Sequence, residues 1–300
     1  MKKINPSISS FESFIGNDFV YVDKTDIIYH LITRGNSYIF CSRPLRFGKS
    51  LTISTLEAIF KGKKELFKGL KIYDSNYDWK EYPVLHLDFA LINASSPTAL
   101  ETKLNEKWLA IAKQYGVPFE QTPFCNLNLE RLLYELDKKG KVVVLIDNYD
   151  KILSSNIGNP EAEDMRRIIA SLFVTLKASC EYLKFVFATG VTGFTNITSF
   201  STANNFYDIT TDVRYSSLFG YTEDEVQYYF SEHIEMGMQK TGMTQEEYMS
   251  KLSLTYGGYR FSPRQKKTLF NPSSLGFFFA DGGIDVLQRL KPVGFWPYKR

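Results

Sequence analysis

The tripeptide Gly48-Lys49-Ser50 is the first place where residue types and spacing point to chemistry. It follows a short apolar run, Tyr38-Ile39-Phe40-Cys41, and precedes a helically spaced stretch through Leu51, Leu56 and Phe60. A loop between a strand and a helix turns backbone N–H groups inward, and the helix N-terminus adds positive potential, so the junction suits phosphate. Lys49 would reach the β- and γ-phosphates, and the Ser50 hydroxyl would ligate Mg²⁺. The usual pattern has a glycine five residues before Gly48, where this sequence has Arg43. Taken alone, the tripeptide fits a surface turn opening a helix better; the strand–loop–helix context turns the balance towards a phosphate loop. Arg43 and Arg46 frame the loop, and two guanidiniums suit anionic oxygens through forked hydrogen bonds.

A second group stands about 100 residues later, where the run Val142-Val143-Val144-Leu145-Ile146 ends in Asp147. A carboxylate at the C-terminal tip of a buried parallel strand faces the same crevice as the phosphate loop and would hold Mg²⁺ there. The next residue is Asn148, an amide that cannot take a proton at neutral pH but can orient water. Asp150 is the nearby carboxylate that would substitute as water-activating group. Thr189, ending the apolar run that begins at Lys184, either senses the γ-phosphate or is a buried threonine bonded to backbone.

These groups need a scaffold, and the chain can build one. Its 300 residues are 44% hydrophobic and 23% charged, ordinary for a globular protein and unlike a disordered, collagenous or disulfide-dense chain. Net charge is +3, too mild to argue for nucleic acid. Cys41, Cys125 and Cys180 have no metal-ligand spacing and read as reduced, buried thiols of a cytoplasmic protein. The N-terminus shows no apolar signal segment, and no apolar run approaches the length of a membrane span. His30, His86 and His233 have no ligand spacing.

Alternating apolar runs and amphipathic stretches predict an α/β fold with a mainly parallel sheet. Strands are expected at 38–41, 83–89, 141–147 and 184–189, with a weaker one at 207–210. Helices are expected at 24–34, from Lys49 to near Gly62, from Pro97 (capped by Ser96) to Gly116, at 127–139, and from an Asn159-Pro160 cap to about Cys180. Beyond residue 216 the pattern turns helical. A capping box at Thr222–Glu225 opens a helix to Lys240, and another spans Thr244 to Leu254. The reading is a P-loop domain over 1–215 and a helical, lid-like unit over 216–300, with the last twenty residues unassigned.

Several blocks then resemble, in order, the bacterial AAA-ATPase-like family. They are Tyr21-Val22-Asp23-Lys24-Thr25, Arg43-Pro44-Leu45-Arg46-Phe47-Gly48-Lys49-Ser50-Leu51, Leu145-Ile146-Asp147-Asn148-Tyr149-Asp150-Lys151 and Thr189-Gly190-Val191-Thr192. Asn204-Asn205 with Asp208-Ile209-Thr210, Leu218-Phe219-Gly220-Tyr221-Thr222-Glu223, Tyr256-Gly257-Gly258-Tyr259-Arg260-Phe261-Ser262 and Asn271-Pro272-Ser273-Ser274 complete the series. The resemblance implies a P-loop ATPase core with ATP and Mg²⁺ as ligands. The Walker A segment would be Arg43, Arg46, Phe47, Gly48, Lys49, Ser50 and Leu51, and the Walker B carboxylate Asp147. A PD-(D/E)XK-type nuclease domain often follows this core in the family, and the expectation is that it is absent here. Three positions depart from the family pattern: Leu45 replaces an arginine, Asn148 replaces the Walker B glutamate, and Gly193 stands where lysine is common. Nucleotide-binding groups are kept while the water-activating group is lost, which implies Mg-ATP binding with weak or lost hydrolysis. The rival reading is a non-catalytic scaffold that keeps the fold and meets a protein or nucleic-acid partner.

Overall fold

The computed structural model describes residues 1–35, 37–193 and 205–284. The expected Asn204 and the last sixteen residues of the unassigned tail lie outside them. Five parallel strands form one sheet in the order β2-β3-β4-β1-β5: β1 (Tyr38–Ser42), β2 (Val84–Asp88), β3 (Val142–Asp147), β4 (Leu183–Gly190) and β5 (Tyr207–Asp208). This is an α/β fold with a parallel sheet, as the alternating pattern predicts. β5 is two residues long, shorter than its apolar pattern suggests.

Strand periodicity explains why helices cover both faces. Val142, Val144 and Ile146 of β3 pack on one side with Leu104, Trp108, Leu132 and Phe173. These belong to helices α4 (Pro97–Tyr115), α5 (Cys125–Asp137) and α7 (Ala162–Ala178). Val143 and Leu145 pack on the other side with Ile53, Leu56 and Phe60 of α3 (Lys49–Phe60). All six β3 residues are buried, which is why the run reads as continuously apolar. Burying each such side chain contributes roughly 1.5–3 kcal/mol.

Helix ends follow local chemistry where the signals are strong. Ser96 Oγ accepts from Ala99 N–H, Pro97 takes the first turn, and Gly116 closes α4 at φ 59°. The expected Asn159-Pro160 cap is different: α7 begins after Glu161, and Asn159 instead binds Ser95 O through Nδ2. The helix expected from 222 to 240 is two, α8 (Glu223–Tyr229) and α9 (Ser231–Thr241), broken at Phe230. α2 (Thr25–Thr33) matches the helix expected at 24–34. Three further helices lie outside the expected elements, α1 (Phe11–Gly16), α6 (Lys151–Ser155) and α11 (Pro272–Ala280), although α1 and α11 carry N-caps at Ser10 and Asn271. α10 (Gln245–Tyr256) starts at a Thr244–Glu247 capping box.

Packing crosses residue 216 in both directions. Leu218, Phe219, Phe261 and Leu269 share a cluster with Phe47 and Ile53. Val20 and Val22 join Val226, Phe230 and Phe278 in another. Cys41 and Cys125 are buried as expected, while Cys180 is exposed because it lies in the turn that leads into β4. Among the described residues no helix is long and apolar enough to cross a membrane.

Candidate active site at the phosphate loop

The strand order decides what meets at the C-terminal edge of the sheet. β4 lies between β1 and β3, so the β4 tip stands between the loop after β1 and Asp147. Thr189 is in register with Cys41, and Asp88 at the end of β2 is in register with Asp147. Crevices at this edge, where connections diverge, are where open α/β sheets bind ligands.

Gly48 has φ 87°, a region that side chains resist, and it opens α3 without any side-chain cap. The first-turn N–H groups of a helix have no partner within the helix, so here they are available to an anion. A Cβ on Gly48 would meet nothing within 4 Å. The open space belongs to a cavity of about 310 Å³ walled by Arg46, Gly48, Lys49, Ser50, Leu51 and Asn148. Its far wall comes from Ser7, Ile8, Tyr221 and Pro272.

Lys49 arches back over its own loop, and Nζ donates to Arg43 O at 3.1 Å and Pro44 O at 3.0 Å. Burial lowers its pKa, and Asp147 and Asp150 pull the other way. Asp147 is 1% exposed and accepts Asn148 N–H at 2.9 Å. Burial raises its pKa, Asp88 adds to the rise, and the nearby Ser50 hydroxyl opposes it. A buried carboxylate with a serine hydroxyl nearby offers oxygens that a hard divalent cation would stabilise. Ser50 and Asp147 are the residues that could hold Mg²⁺ here.

Five expected site residues, Arg43, Phe47, Asp147, Asp150 and Thr189, are not on the cavity wall. Arg43 is fully buried, Nη1 donates to Ser42 O and Thr210 O at 2.8 Å each, and its guanidinium lies 4.3 Å from the Phe261 ring centroid. Among the described residues its Nε and Nη2 have no hydrogen-bond partner. A weakly hydrated guanidinium tolerates such a place through stacking. Phe47 is also buried, edge-on to Tyr259 at 4.9 Å and Phe261 at 5.2 Å, so it fastens the loop to the C-terminal segment. Asp150 is not free to activate water. Its Oδ2 accepts from Val191 N–H, Thr192 N–H and the Thr192 hydroxyl at 3.0, 2.7 and 2.8 Å. That carboxylate holds the chain as it leaves β4.

Thr189 is fully buried off the cavity wall, and among the described residues its hydroxyl has no hydrogen-bond partner, so the backbone-bonded reading does not describe it. Asn148 does face the cavity, with its backbone in the left-handed region at φ 53°. Its Nδ2 donates to Asp88 Oδ1 at 3.0 Å. Sequence reasoning missed Asp88, although Leu85-His86-Leu87-Asp88 ends a strand on a carboxylate just as β3 does. It also missed Ser7, Ile8 and Pro272, which no local pattern ties to the loop.

A family model described as predicted AAA-ATPase matches residues 6–200. An uncharacterized protein encoded in the vnfD 5′ region of Azotobacter chroococcum mcd 1 is 33% identical over 283 residues, 93% of this chain and 52% of that protein. The chain thus spans about half the length of that curated relative. Cdc6p from Pyrobaculum aerophilum aligns over 72% of this chain and 51% of its own, at 12% identity and a TM-score of 0.31, too loose to argue from.

Proposed function

The chain belongs to the AAA-ATPase-like family, and from that premise we propose that it binds Mg-ATP at the phosphate loop and hydrolyses it slowly. The first-turn N–H groups of α3 and its dipole hold the phosphates. Lys49 exchanges its two loop carbonyls for phosphate oxygens. Arg46, exposed on the cavity wall, adds a second cation. Ser50 and Asp147 hold Mg²⁺, which when bound neutralises charge on the phosphates. The segment around Tyr221 and Pro272 closes the far side, so the helical unit acts as a lid. ATP rather than another nucleotide follows the family.

Slow turnover follows from Asn148 and Asp150. Positioned acid–base groups contribute about 10²–10⁴-fold to rate. Neither residue supplies a base, since one is an amide and the other is held by three donors. Electrostatic positioning of the phosphates is retained, and it carries much of phosphoryl transfer.

The observation that carries this reading is left-handed Gly48 opening α3 without a side-chain cap, beside a cavity walled by Lys49 and Ser50. Lys49→Ala tests it. Loss of a charge-assisted contact costs about 1.5–3 kcal/mol, or roughly 10- to 150-fold in Mg-ATP affinity by calorimetric titration. Equal affinity in the variant would sink the assignment.

A further inference from the structure

Asn148 is held at three points. Its backbone sits at φ 53°, its N–H donates to Asp147 Oδ1 at 2.9 Å, and its Nδ2 donates to Asp88 Oδ1 at 3.0 Å. Asparagine enters the left-handed region more readily than most residues, so the backbone strain is small. Asp88 is itself anchored, because the same Oδ1 accepts Ala90 N–H at 2.8 Å.

An amide has a donor end and an acceptor end. A carboxylate opposite Asn148 selects which end it meets. The flipped amide would set its oxygen against the Asp88 oxygen, two acceptors with no proton between them. Nδ2 therefore belongs to Asp88, and Oδ1 is the end left for the cavity that Asn148 lines.

We propose that Asp88 is the positioning residue that makes Asn148 a working acceptor for the attacking water. This rests on the nucleotide-binding reading above and deepens it. In the reaction served, the water oxygen bonds to the γ-phosphorus. The bond from that phosphorus to the β–γ bridging oxygen breaks, and its electron pair stays on ADP. The water proton passes to an oxygen of the phosphate product. The transition state is loose, with little bonding to the nucleophile, so orienting the water matters more than deprotonating it. A neutral amide can do this only if its acceptor end is fixed, and Asp88 fixes it.

The test measures kcat and KM for Mg-ATP hydrolysis together with thermal stabilisation by Mg-ATP. Asp88→Ala lets the amide rotate, and kcat falls about 10- to 100-fold, as for a modest misplacement of a reacting group. KM and the stabilisation stay as in the wild type. Asp88→Asn supplies a neutral acceptor for Nδ2 and recovers most of that loss, and it also guards against misfolding of the alanine variant. Asn148→Ala loses as much as Asp88→Ala, and the double variant loses no more than either, because the two act as one unit. Wild-type kcat in a nucleotide-binding Asp88→Ala variant overturns the proposal. So do an Asp88→Asn variant as slow as Asp88→Ala and losses that multiply in the double variant. If the wild type is stabilised by Mg-ATP but releases no phosphate, the proposal fails and the binding reading stands. If Mg-ATP gives no stabilisation, the binding reading itself fails, and the proposal with it.

Discussion

Removing the Glu225 carboxylate should weaken the protein far more than losing a surface ion pair. Lys24 Nζ lies 2.6 Å from both Glu225 oxygens, across 201 residues of sequence. The side chains are 8% and 21% exposed. Burial lowers the Lys24 pKa despite the pull of Glu225, so the ammonium depends on this partner. Glu225 also holds a helix end, where its Oε2 accepts Thr222 N–H at 2.7 Å and completes the capping box of α8. Losing a cap costs about 1 kcal/mol. Stranding a buried charge costs about 3–5 kcal/mol when burial is complete, and Lys24 is close to that limit. Glu225→Ala should therefore lose roughly 4 kcal/mol in all, seen as a drop of about 1 M or more in the urea midpoint at an m-value near 3 kcal/mol/M. Thr222→Ala, which removes only the cap, should lose about 1 kcal/mol. Lys24→Met with Glu225→Gln deletes both charges, keeps an acceptor for the cap, and should return to within about 1–2 kcal/mol of wild type. A Glu225→Ala midpoint no lower than that of Thr222→Ala would refute the reasoning, since the pair would then add nothing beyond the cap.

Glu57 gives a pH signature. Burial alone would push its carboxyl up, but hydrogen bonds and charge from His86 and Lys61 together bring it down to about 2. A carboxyl whose folded pKa is depressed stabilises above its unfolded value and loses that stabilisation as pH falls through the folded one. Its side chain is 24% exposed, so solvent screens part of the effect. Glu57→Gln should lose about 1–2 kcal/mol at pH 7 in chemical denaturation, with the deficit shrinking from near pH 4.5 and vanishing by about pH 2. Asp150→Ala should lose about 2–3 kcal/mol by leaving three donors without an acceptor, yet keep its Mg-ATP affinity; tenfold weaker binding at unchanged stability would contradict the anchoring role. Gly48→Ala should fold with a loss of only about 1–2 kcal/mol from the strained φ, since its Cβ meets nothing, but should fail to bind Mg-ATP because that Cβ enters the phosphate cradle. Full binding by calorimetry would move the phosphates away from Gly48.

What the sequence disclosed was local. β3 announced itself as an uninterrupted β-branched run, and α4 carried Ser96, Pro97 and Gly116 at its ends. The phosphate loop and the Asp147 tip stood out because each is a short pattern at a strand end. What stayed hidden depends on partners distant in sequence. No local signal tells that the Arg43 face stacks on Phe261, or that Thr210 O accepts a hydrogen bond from its Nη1. Arg43 thus reads as a phosphate ligand and folds as a buried pin beneath the loop. Asp150 reads as a candidate base because acidity is visible and its three donors at 191–192 are not. Asp88 is invisible until strand order sets β2 beside β3. The break at Phe230 escapes because the apolar periodicity runs through it, and α11 escapes because its short apolar sequence shows no amphipathic stripe.

Thermal unfolding with and without saturating Mg-ATP tests the central claim most directly. Ligand at 100 times its dissociation constant adds about 2.7 kcal/mol, or roughly 4 °C for a chain of this size. The wild type should show that shift, Lys49→Ala a much smaller one, and phosphate release should be slow but measurable. No shift at millimolar Mg-ATP, or an equal shift in Lys49→Ala, would contradict nucleotide binding at this loop and leave the fold as a scaffold for another partner.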